Sequence, residues 1–91
     1  MDVEWHEAAL RQLATIFHEP GMGPAEWDAL AREVGYIRKE LARAAPHLGE
    51  SRGTAVRRVW FATVLVIGFD IMDEQTVVVY HAAHLRRRPG N

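Results

Sequence analysis

His81, His84, Arg57, Arg58 and the run Arg86-Arg87-Arg88 are the residues of this chain best suited to chemistry. Histidine titrates near neutrality and can give or take a proton. Arginine offers a planar fork that holds phosphate or carboxylate through two parallel hydrogen bonds. Together they have the parts for RNA cleavage by 2′-hydroxyl attack on the neighbouring phosphate. That reaction needs a base for the hydroxyl proton, cations for the crowded phosphorane and an acid for the leaving 5′-oxygen. His84 and Arg86, with Arg58, form the candidate catalytic set. Arg52, Arg57, Arg87 and Arg88 are the candidate binding cations, and Glu50 is a second candidate base.

Other chemistries find little footing. The 91 residues include no cysteine, so disulfides and thiolate catalysis are excluded. His6, His18, His47, His81 and His84 are scattered and no carboxylates cluster near them, so no metal and no cofactor is expected. Gly21-Met22-Gly23 and Gly49-Glu50-Ser51-Arg52-Gly53 lack the strand before and the Gly-Lys-Ser/Thr ending of a phosphate loop. No apolar run reaches membrane-spanning length, and Met1-Asp2-Val3-Glu4 has no basic leader, so a cytoplasmic protein away from membranes is expected.

Charge is distributed unevenly. The net charge is −1, with 11 Lys/Arg against 12 Asp/Glu. Residues 1–50 hold 5 cations and 9 carboxylates, whereas residues 51–91 hold 6 arginines and 3 carboxylates. A basic C-terminal half points to an anionic partner, either nucleic acid or an acidic protein. The near-neutral whole argues against general polyelectrolyte binding.

These residues need elements to position them. Val3-Glu4-Trp5 alternates and reads as a short strand, so residues 1–5 open the domain. Ala9, Leu10, Leu13, Ile16 and Phe17 form one helical stripe, and Trp27, Leu30, Ala31, Val34, Ile37, Leu41 and Ala44 form another. The loop Pro20-Gly21-Met22-Gly23-Pro24 joins them into a helical hairpin over residues 6–46, closed by Pro46. Residues 47–54 read as a polar connector. Three β-branched and aromatic runs follow, an antiparallel meander over 55–85, and 86–91 is a basic tail. The middle run places Leu65, Ile67, Phe69 and Ile71 on one face and Val66, Gly68 and Asp70 on the other. The turn at Ala62-Thr63-Val64 lacks Gly or Asn and is poorly defined. One domain of class α+β results, ordered β-α-α-β-β-β, with a two-helix hairpin on one face of a small antiparallel sheet. Trp5, Trp27 and Trp60 are expected in the core.

From Val3 to Pro89 the chain resembles the RelE/ParE superfamily of bacterial toxin–antitoxin toxins. The match runs through Val3-Glu4-Trp5, a helix with Ala9 and Leu13, a long second helix ending at Pro46, and Gly49. It continues through Arg58 in the first meander strand, Phe69-Asp70-Ile71, and the last strand running into His84-Leu85-Arg86-Arg87. The resemblance implies either ribosome-dependent cleavage of messenger RNA or poisoning of DNA gyrase, with a cognate antitoxin as partner. It matches Arg57 and Arg58 to the strand cations of the RNases, and His84, Arg86 and Arg87 to their C-terminal cluster. RelE-like RNases also carry an arginine early in the middle strand, where this chain has Leu65-Val66-Ile67. That departure favours a protein-binding toxin or degenerate relative over an RNase, with a non-toxic interaction domain as the third reading. Arg58, His84 and Arg86 are expected to converge on the open side of the sheet. Val77, Val78 and Val79 are expected to leave that side partly apolar, for a partner segment or a second copy.

Overall fold

The computed structural model describes residues 1–52 and 54–85, and the backbone alone at positions 51, 52 and 54–56. Strand β1 (Asp2–Trp5) leads into helices α1 (Glu7–Phe17) and α2 (Pro24–Ala44), and a short 3-10 turn (Ala45–His47) follows. Strands β2 (Glu50–Arg52), β3 (Thr54–Phe61), β4 (Leu65–Ile71) and β5 (Thr76–His84) complete the chain. The class is α+β, with the helices on one face of the sheet. The sheet has five strands in the order β1-β5-β4-β3-β2.

Two features differ from the sequence-based expectation. The sheet is mixed, because β1 pairs parallel to β5, with Val3 opposite Val77 and Trp5 opposite Val79. A parallel pair needs a long crossover, and here the helices and the other strands supply it. The polar connector also contains a strand: β2 pairs antiparallel with β3, Glu50 opposite Val59 and Ser51 opposite Arg58. Its residues carry no apolar alternation, so periodicity could not reveal it. Gly49, at φ +68°, turns the chain into that strand.

The core is the layer between helices and sheet. Ala9, Leu13 and Ile16 of α1 and Leu30, Ile37 and Leu41 of α2 bury against Leu65, Ile67, Phe69, Val77, Val79 and Ala82. Burying one such aliphatic or aromatic side chain is worth roughly 1.5–3 kcal/mol. Both helix starts are capped. His6 Nδ1 accepts from the Ala8 amide, and Glu26 accepts from the Gly23 amide just ahead of Pro24. Trp27 departs from its expected core position. It is 44% exposed, and its indole N–H donates to the Phe17 carbonyl at 2.8 Å, tying the two helices at their loop.

Polar side chains stitch the layers. Glu33 of α2 accepts from the backbone amides of Val64 and Leu65, each at 2.7 Å. That grip, with the Ala62 amide donating to the Leu65 carbonyl, defines a turn whose own residues are poor turn formers. Gln12 of α1 accepts from the Ala82 amide at 2.7 Å, beyond the end of β1. At the β4–β5 turn, Asp73 accepts from the Gln75 amide at 2.7 Å.

Gly35 sits inside α2, and a Cβ there would meet nothing within 4 Å. Gly35→Ala is therefore expected to raise stability by about 0.5–1 kcal/mol through lower backbone entropy in the unfolded chain. Thermal unfolding of the two proteins checks this, and a lower midpoint for the variant would contradict it.

Candidate functional site: the open face of the sheet

Strand register assigns every meander residue to a face. Arg58 pairs with Phe69 and Trp60 with Ile67, so both point with those core residues toward the helices. Arg57, Val59 and Phe61 point the other way, opposite Asp70, Gly68 and Val66. In β5 the alternation is broken. Phe69 faces Val79, but Gly68 faces His81, leaving Tyr80 as an extra residue. This β-bulge changes which residues point inward, from Val77 and Val79 before it to Ala82 and His84 after it. Helix α1 runs along this edge, where the His6 amide donates to the Val79 carbonyl and Gln12 takes the Ala82 amide.

The open face then consists of three cross-strand rows. At one end Arg57, Asp70, Val78 and Glu4 lie side by side. At the other, Phe61, Val66 and Ala83 form an apolar row, in which Phe61 is 55% exposed. Between them Val59, Gly68 and His81 align, and Tyr80 lies over Gly68 so closely that a Cβ there would sit 2.8 Å from the ring. A side chain at position 68 would force the Tyr80 ring to shift, because the ring occupies that space.

Arg57 is held firmly. Its Nε and Nη2 donate to the two Asp70 carboxylate oxygens at 3.0 and 3.1 Å, and its guanidinium lies 4.4 Å from the Tyr80 ring centroid. The hydrogen bond to Asp70, and then its charge, push the Arg57 guanidinium above its ordinary pKa, so it stays cationic at any working pH.

Of the candidate catalytic residues, Arg58 and His84 are not gathered here. Arg58 donates from Nε to the Leu48 carbonyl at 2.6 Å and from Nη2 to the Gly49 carbonyl at 2.9 Å, clamping the turn into β2. His84 lies on the helix side, its Nδ1 3.2 Å from a Glu19 carboxylate oxygen in the α1–α2 loop. The β4 partners of Arg58 and His84, Phe69 and Leu65, are four residues apart. That puts the two side chains roughly 13 Å apart along the strand direction. Arg86, Arg87, Arg88 and the Arg52 side chain lie outside the described residues. His81 is exposed on the open side, and Glu50 is exposed at the β2 edge. Among the described residues no group of three His, Asp or Glu side chains is placed to hold a metal ion. No described helix is long and apolar enough to cross a membrane.

No family model matches this sequence, and no curated protein sequence matches it either. Solved structures do match the architecture. A chain of the chromosomal ParDE toxin–antitoxin system from P. aeruginosa superposes with a TM-score of 0.75 at 14% identity, covering 94% of this chain and 97% of that one. The fold is that of the RelE/ParE toxins. A chain of the RelBE2 toxin–antitoxin complex from Mycobacterium tuberculosis superposes at TM-score 0.64 and 22% identity, covering 90% of this chain and 87% of that one.

Val66, in the middle-strand stretch where the resemblance implied a cation, stands in the apolar row beside Phe61. Asp70, Tyr80 and Gly68 are the site residues that motif reasoning passed over. Asp70 and Gly68 had a signal: an aspartate and a glycine inside a strand are both unfavourable unless a partner or a close approach requires them.

Proposed function

We propose that this chain is the toxin of a toxin–antitoxin module and that it acts by holding a protein target on the open face of its sheet. A gyrase-type poison is the form favoured. The observation that carries the reading is the pairing of a locked Arg57–Asp70–Tyr80 cluster with the apolar row Phe61–Val66–Ala83 on one surface. Interface hot spots draw on aromatic and arginine side chains set beside apolar surface. An RNA-cleaving surface needs an acid and a base beside cations free to engage phosphate. Here Arg57 is bound to a carboxylate, and His84 faces the helices. The implied partners are a neutralising antitoxin protein and the target.

Controlled expression in a bacterial host, with message ends mapped in a translating extract and a gyrase supercoiling assay run alongside, tests this. Growth arrest with intact message is expected, and Phe61→Asp is expected to relieve it without unfolding the protein, because Phe61 is exposed. Message cut at defined sites by wild type but not by His84→Ala or Arg86→Ala would replace this reading with ribosome-dependent RNA cleavage. Harmless expression in the absence of any antitoxin would leave a non-toxic interaction domain.

A further inference from the structure

A recess of about 660 Å³ lies on the solvent side of α2, lined by Arg32, Gly35, Tyr36, Arg38, Lys39 and Ala42. Three of these six are cations and none is an anion. Arg32, Tyr36 and Lys39 form one row along the helix, and Gly35, Arg38 and Ala42 form the next. The nearby carboxylates are already committed. Asp28 pairs with Arg32, Glu33 holds the Val64 and Leu65 amides, and Arg43 takes Glu40 at 2.6 Å. Arg38 and Lys39 make no ion pair or hydrogen bond among the described residues. Small residues give the recess its depth. Nothing stands where a Gly35 Cβ would be, and Ala42, two turns on, adds only a methyl group. One wall is aromatic: Tyr36 is 53% exposed, and its ring is braced by Trp60 of β3, the centroids 6.1 Å apart.

We propose that this recess binds a nucleoside polyphosphate, with the base laid on the Tyr36 ring beside Gly35 and the phosphates held by Arg38 and Lys39. Volume sets the size of the ligand: about 660 Å³ falls within the roughly 300–1,000 Å³ of small-molecule sites. Charge sets its sign. Arginine brings a fork and lysine a point charge, and both suit phosphate oxygens. The aromatic wall adds a demand for a flat group, and every base has a face that stacks on such a ring. Bracing by Trp60 limits the side-chain freedom that Tyr36 loses on binding. Spacing joins the two demands. Tyr36 and Lys39, like Gly35 and Arg38, are three residues apart, a rise of about 4.5 Å along the helix. One ribose separates a base from its 5′-phosphates, a span of the same order. A bare phosphate would leave Tyr36 unused. Two unpaired cations are too few for a nucleic-acid track, which spreads over many phosphates. The recess lies on the helix layer, on the opposite side of the sheet from Arg57 and Tyr80, so this binding stands or falls independently of the toxin reading.

The test titrates the full chain with guanosine triphosphate, read by calorimetry and amide resonances, at about 0.15 M salt where loose charge attraction is screened. Guanosine, inorganic triphosphate and a single-stranded RNA of about 10 nucleotides serve as comparisons. The nucleotide is expected to bind at least about tenfold more tightly than guanosine or inorganic triphosphate, and to move the amide resonances of residues 32–42. Adenosine triphosphate is expected to bind within about threefold of it, because stacking tolerates either base. R38E/K39E is expected to weaken nucleotide binding at least about tenfold. Tyr36→Leu keeps an apolar contact for Trp60 but removes the stacking face, and is expected to weaken the nucleotide about tenfold while leaving inorganic triphosphate unchanged. All three positions are exposed, so these variants are expected to keep the wild-type thermal midpoint within a few degrees, about the scale of a surface substitution. Arg57→Ala and Phe61→Asp are expected to leave nucleotide binding unchanged. Equal binding of inorganic triphosphate and nucleotide, full binding by R38E/K39E, tighter binding of the RNA, or resonance shifts confined to the open face of the sheet would overturn the proposal.

Discussion

Gly49→Ala is expected to lower stability by about 2–4 kcal/mol and the thermal midpoint by roughly 10–25 °C. Two costs coincide at this residue. Its backbone lies at φ +68°, a region that side chains with a Cβ rarely adopt. A Cβ there would also approach the Val59 carbonyl oxygen to 2.4 Å, and that carbonyl belongs to the strand β3 backbone. The neighbour cannot swing aside as a flexible side chain would. Arg58 raises the stakes, because it binds the carbonyls of Leu48 and Gly49 and so depends on the same turn. Gly21 provides an internal control. It too has positive φ, at +87°, but a Cβ there would meet nothing within 4 Å. Gly21→Ala is therefore expected to cost only about 1 kcal/mol, the conformational part without the collision. Denaturant titrations of the two variants separate the terms. Equal losses would show that the close approach to Val59 contributes nothing.

Glu33→Ala has the second large effect, an expected loss of about 2–4 kcal/mol. One carboxylate oxygen accepts two backbone amides at the β3–β4 turn, and a half-buried amide left without an acceptor costs about 1–3 kcal/mol. Glu33→Gln keeps an oxygen in place and removes only the charge assistance, so it is expected to lose roughly half as much. The consequence reaches the open face of the sheet. The turn sets the spacing between Phe61, which is exposed, and Val66, which is half-buried, in the apolar row. Glu33→Ala is thus expected to raise amide exchange at Val64 and Leu65 and to weaken growth arrest, at an expression level where Phe61→Asp abolishes it. A variant within about 0.5 kcal/mol of wild type, with unchanged exchange at those two amides, would show that water satisfies the turn.

Both effects come from contacts between residues far apart in sequence, and this marks the limit of what the chain alone reveals. Local patterns sufficed for the two helices, the three meander strands and the order of the elements. The 3.6-residue spacing through Ala9, Leu13 and Ile16, and the alternation through Leu65, Ile67 and Phe69, are properties of short windows. The RelE/ParE resemblance rests on that order, and the superposition on ParDE and RelBE2 chains reproduces it. The charge asymmetry and the missing middle-strand cation at Val66 were equally legible.

The direction of the candidate residues was not. Simple alternation along β5 would place His84 with Val78 and Tyr80 on the open face. The bulge at Tyr80 reverses that parity, and α1 supplies the edge contacts through Gln12 and the His6 amide. Adjacent strand positions send Arg57 and Arg58 to opposite faces, but which one faces the open side depends on register with β4. The polar strand β2 and the parallel pairing of β1 with β5 likewise need partners that periodicity does not show. Sequence determines what each segment can become, because propensity and hydrophobic period act over a few residues. Tertiary structure decides which face a side chain occupies, because one inserted residue in a strand turns every later side chain to the other side.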